Sequence, residues 1–70
     1  MAHATYAVMR TGSGWTIAHD GKHFGNFPTA GAAEAMATET ARGAAAQGFE
    51  AKVVVEEANG GFRIAWRSDG

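Results

Sequence analysis

Trp15-Thr16-Ile17-Ala18-His19-Asp20-Gly21-Lys22-His23-Phe24 reads as two strands folded back on a two-residue turn. Trp15 to His19 alternates large with small or polar side chains, the period of a half-buried strand. Asp20-Gly21 supplies two residues that tolerate positive φ, as a type I′ hairpin turn requires. That turn sets His19 opposite Lys22, Ile17 opposite Phe24 and Trp15 opposite Asn26.

Upstream, Thr5-Tyr6-Ala7-Val8-Met9-Arg10 is rich in strand formers and stops at Thr11-Gly12-Ser13-Gly14. A turn at Gly12-Ser13 places Arg10 opposite Trp15, Val8 opposite Ile17 and Tyr6 opposite His19. Two independent turns thus align Val8, Ile17 and Phe24 across three strands on one face. Because side chains alternate along a strand, Met9, Thr16 and His23 fall on the other.

Downstream, Pro28-Thr29 ends the third strand and opens a helix with Thr29 as N-cap. Ala30 to Gln47 is mostly alanine, the best helix former. On a 3.6-residue wheel, Ala33, Met36, Ala37, Thr40, Ala44 and Gln47 share one face. Gly48 is the expected left-handed residue past the helix, and Phe49 the apolar side chain that packs back on it.

Ala51-Lys52-Val53-Val54-Val55-Glu56 is a β-branched strand, and Phe62-Arg63-Ile64-Ala65-Trp66-Arg67 returns along it. Reading Asn59-Gly60 as a second type I′ turn puts Val53, Val55, Phe62, Ile64 and Trp66 inside. It pairs Glu56 with Arg63, Val54 with Ala65 and Lys52 with Arg67 outside. The expected core is Tyr6, Val8, Trp15, Ile17, Phe24, Phe27, Met36, Val53, Val55, Phe62, Ile64 and Trp66.

The predicted architecture is β-β-β-α-β-β. It is a two-layer α+β domain over residues 1–70, with one antiparallel or mixed sheet and a single helix on one face. Residues 1–4 and 68–70 are expected to fray. A right-handed crossover from the third strand to the fourth gives the order 3-2-1-4-5, unless the final hairpin completes a neighbour's sheet.

Seventy residues with a net charge of −1 offer no overall positive field for nucleic acid or anionic lipid. There is no cysteine, hence no disulfide, thiolate nucleophile or Cys-based zinc site. No apolar run reaches the roughly 20 residues that span a bilayer. Met1-Ala2-His3-Ala4-Thr5 lacks the basic and apolar regions of a signal peptide, so a cytoplasmic location is expected.

No constellation in the chain reads as catalytic. His19 and His23 lie on opposite faces of their hairpin and cannot share a metal. Glu56 and Glu57 are adjacent on a strand and diverge, and neither Gly12-Ser13-Gly14 nor Gly60-Gly61 opens a helix to make a phosphate loop. A non-enzyme without cofactor or metal is expected. The informative surface is the sheet face away from the helix, where the candidate interaction residues are Met9, Thr16, His23, Lys52, Val54, Arg63 and Arg67. Lys52 opposite Arg67 is a like-charge pair that an anion or an acidic partner would answer.

Several of these features resemble a family of small uncharacterised bacterial proteins, domain-of-unknown-function family 2188. They are Tyr6, Gly14-Trp15-x-Ile17, Phe27-x-Thr29, the alanines at 33, 37, 41 and 44, Gly48, Val53-Val54-Val55 and Gly61-x-Arg63. The likeness covers almost the whole chain and implies no activity. Gly31, Glu34 and a less basic final hairpin depart from that pattern.

A weaker likeness is to the three-stranded DNA-binding arms of integrases. At the matching positions Met9, Thr16, Ala18, His23 and Gly25 this chain lacks the basic and polar side chains of base readout. The expectation is therefore an interaction module, self-associating or binding another protein through the open face or final hairpin. The alternative is weak nucleic-acid binding through the basic residues of that hairpin.

Overall fold

The computed structural model describes residues 2–68, which form β1 (His3–Arg10), β2 (Trp15–His19), β3 (Lys22–Phe27), α1 (Ala30–Ala46), β4 (Glu50–Glu56) and β5 (Phe62–Arg67). The strands make one sheet in the order β3-β2-β1-β4-β5. β1 and β4 run parallel and every other neighbouring pair is antiparallel. This is the two-layer α+β arrangement and the strand order that the sequence predicts, with β5 paired to β4 of its own chain. No helix among the described residues is long and apolar enough to cross a membrane.

The ends are better held than expected. β1 already starts at His3, and Ala4 is buried. Ser68 exchanges two hydrogen bonds with Ala51, donating from its N–H and accepting at Oγ. Met1, Asp69 and Gly70 lie outside the described residues.

The first hairpin has the predicted register, Val8 opposite Ile17 and Arg10 opposite Trp15. Asp20 (φ 54°) and Gly21 (φ 77°) form the expected turn of the second, which pairs His19 with Lys22 and Ile17 with Phe24. Beyond that point β3 bulges, and Trp15 faces Phe27 instead of the predicted Asn26. Gly25 (φ 83°) makes the bulge possible, because a Cβ there would run into the Phe27 ring.

The last hairpin departs further from expectation. The Gly60 N–H bonds to the Glu57 carbonyl and the Glu57 N–H to the Gly61 carbonyl, so the loop holds three residues, 58–60. Gly60 (φ 90°) alone in the loop takes positive φ, whereas a type I′ turn needs it at Asn59 as well. This is a turn followed by a left-handed glycine. It slides β5 by one residue: Val54 now faces Ile64, Val55 faces Arg63 and Glu56 faces Phe62. An irregularity absorbs Ala65, and the predicted pairs Val53–Trp66 and Lys52–Arg67 are restored beyond it.

That slide corrects several predictions at once. Phe62 (49% exposed) and Ile64 (52%) leave the core for the open face. Ala65, expected outside, packs against the core with Trp66. Arg63 turns to the helix side and reaches Glu34 Oε1 at 3.2 Å, so the expected Glu56–Arg63 pair does not form.

Thr29 caps α1, accepting from the Ala32 N–H at 3.1 Å. At the other end the Phe49 N–H reaches the Ala44 carbonyl and the Gly48 N–H the Ala45 carbonyl, the two bonds of a Schellman motif. The buried helix residues are Ala33, Ala37 and Ala41, a stripe turned by about half a residue step from the predicted face. Met36, placed inside by the wheel, is 48% exposed. The sheet explains this. Tyr6, Val8, Ile17, Val53 and Val55 fill the layer beneath, so only methyl groups fit under a closely set helix. Phe24, also expected inside, lies on an edge strand and is 41% exposed.

Candidate interaction surface

The registers lay out the helix-free face as a grid across β3-β2-β1-β4-β5. The middle row is His23, Ala18, Ala7, Val54 and Ile64, which are cross-strand partners in turn. One row toward the start of β4 stand Thr5, Lys52 and Arg67. One row toward its end stand Thr16, Met9, Glu56 and Phe62. The face is apolar through its middle, basic at one end, and carries a carboxylate at the other.

Of the seven residues expected on this face, Met9 and Val54 are half-buried there, while His23, Lys52 and Arg67 are exposed. Thr16 is sealed into the sheet, 5% exposed, its hydroxyl shared between the carbonyls of Phe24 (3.1 Å) and Gly25 (2.9 Å). It holds the β3 bulge and offers no free group to a partner. Arg63 is on the opposite side, between Glu34 and Glu57.

Ile64 and Phe62 are the residues that sequence reasoning missed; Glu56 lies on this face as expected, but opposite Phe62 rather than Arg63. Glu56 Oε1 accepts from the Arg10 N–H at 2.9 Å, which pins its carboxylate at the end of β1. Asn59-Gly60 was itself the ambiguous signal, since a glycine serves as the left-handed third residue of a three-residue loop as well as the second residue of a two-residue one.

The remaining chemistry-bearing groups do not converge. His19 stacks on Tyr6 with ring centroids 4.3 Å apart and planes within 15°. Its Nδ1 lies 3.0 Å from the Thr5 carbonyl, and because a carbonyl only accepts, Nδ1 carries the proton. The stack borders a cleft of about 460 Å³ that Ala44 of α1 and Phe49 also line. His3, which also lines it, is 3.5 Å from Glu50. His23 sits across the sheet from this cleft, as the hairpin register predicts. Among the described residues no group of three or more His, Asp or Glu could hold a metal ion.

The Arg10 guanidinium lies 5.2 Å from the Trp15 ring centroid, a contact at the rim of the core. Trp15 and Trp66 are half-buried and pack against the core, which leaves neither as a free stacking platform. No family model, curated protein or solved structure matches this chain.

Proposed function

We propose that this chain is a non-enzymatic interaction module that associates with a second copy of itself through the helix-free sheet face. The observation that carries this reading is the pair Ile64 and Phe62, each about half exposed, Ile64 beside Val54 and Phe62 beside Glu56, with no described element of the chain above them. Contiguous large apolar side chains framed by charge are the mark of a surface that meets another protein. A chain this short also gains proportionally more from burial between copies than a larger domain does.

The nucleic-acid alternative draws on Lys52, Arg63 and Arg67. It is weaker, because Arg63 points away from the other two and is engaged by carboxylates. Glu56 also adds negative charge to the face that would have to approach phosphate.

Mass by light scattering over a dilution series tests the reading. A value rising from the 7.3 kDa monomer toward twice that mass is expected. A monomer at every concentration would sink it. Salt-sensitive amide shifts on β5 with short oligonucleotides would favour the alternative.

A further inference from the structure

We infer that the second copy docks by a two-fold axis lying across the strands, along the row Ala7–Val54–Ile64, so that Lys52 of each copy sits over Glu56 of the other. This rests on the self-association proposed above and adds its geometry. When two identical sheets stack face to face, the two-fold axis lies in the plane between them. Only two orientations respect the strands. An axis along β4 lays the basic end of one face on the basic end of the other, Lys52 over Lys52. An axis across β4 exchanges the ends.

Lys52 and Glu56 are placed symmetrically for that exchange. Each lies two residues from Val54 on the same strand and the same face, about 6.6 Å to either side at the usual strand rise. Rotation about the Val54 row therefore brings opposite charges together twice. It also stacks Val54 on Val54 and Ile64 on Ile64. Like-charge contact disfavours the other axis, and the apolar row is buried in either case. Electrostatics thus chooses the register, while apolar burial supplies the attraction.

Five strands about 4.8 Å apart and three outward rows about 6.7 Å apart give a face of roughly 500 Å² per copy, below the ~800 Å² per partner of a standard interface. The dimer is therefore weak and concentration-dependent, in the micromolar range or above.

Sedimentation equilibrium on the full chain tests the geometry with Lys52→Glu, Glu56→Lys, an equimolar mixture of those two variants, and the double exchange K52E/E56K. Each single reversal is expected to weaken self-association about tenfold. The mixture and the double exchange should both regain it, because each again pairs opposite charges. Far-UV circular dichroism checks that every variant is folded. Lys52 is exposed, so its reversal reports on association even if Glu56→Lys disturbs the bond to the Arg10 N–H. A wild-type dimer that K52E leaves unchanged or tightens would overturn the axis while keeping self-association. A wild-type chain that stays monomeric at about 1 mM would overturn both.

Discussion

Ile64→Ala separates the observed register from the one a type I′ turn would impose, and bears on association in the same experiment. In the type I′ register Ile64 is a core residue, and its truncation would cost about 2–5 kcal/mol of stability through lost transfer energy and a cavity. In the observed register the side chain lies open, 52% exposed. The substitution removes three carbons, about 2.4 kcal/mol if all were buried. Since roughly half the residue is buried in the monomer, about 1.2 kcal/mol is lost there, with no cavity because water fills the gap. The other half is realised only when a second copy covers it. Two copies then lose about 2.4 kcal/mol of association, near a fifty-fold weaker Kd. Urea unfolding at high dilution reads the first quantity, and sedimentation equilibrium reads the second. A monomer destabilised by more than about 2 kcal/mol would refute the register, and an unchanged Kd would refute the covered face.

Three further outcomes follow from the same geometry. Gly60→Ala should cost about 1–2 kcal/mol because its φ is 90°, whereas Asn59→Ala, losing one exposed bond to the Gly61 N–H, should cost under about 1; equal costs would restore the type I′ turn. Ala37→Leu should destabilise by about 1–3 kcal/mol by forcing the helix off the sheet, while Met36→Ala, with nearly half its surface in water, should cost no more than about 1; chemical denaturation would show a reversed order if the wheel's face were right. A double-mutant cycle on Arg63 and Glu34 should give a salt-sensitive coupling below about 1 kcal/mol, and one on Arg63 and Glu56 none, since the latter two lie on opposite sides of the sheet.

Most of the fold was legible because several local signals agreed. Two tight turns, a threonine cap and a Gly48-Phe49 stop each constrain only a few residues, yet together they leave one assignment of strands and helix. The right-handed crossover then determined where β4 lies, and the observed order follows it. The errors share a physical origin. A helical wheel weighs side-chain size, but the distance between α1 and the sheet is set by the bulk of Tyr6, Ile17 and Val53 below it. That distance is visible only in three dimensions. The β3 bulge was missed for a related reason. Gly25 reads as a weak strand residue in sequence, and the clash that makes glycine necessary involves a ring two positions on.

The candidate face shows why site prediction is more fragile than fold prediction in a sheet. Strand order and pairing survive a one-residue change in loop length, because the strands remain neighbours. Facing does not survive it, because every side chain between the turn and the next irregularity changes side. Here that interval is short, Phe62 to Ile64, and it contains two large apolar groups and one of the hairpin's two arginines. Under the two-residue turn the outward face would hold Arg63 opposite Glu56, a neutralised pair, and only small apolar groups around Val54. Under the three-residue turn Arg63 leaves to meet Glu34, Glu56 loses its in-chain partner cation, and Ile64 and Phe62 come out beside it. The glycine that sets the loop therefore decides whether the face is self-neutralised or carries, at one end, a carboxylate in no ion pair among the described residues, a lysine at the other and exposed apolar surface between. The second arrangement is complementary to itself, and it is Gly60, remote from the middle of that face, that creates it.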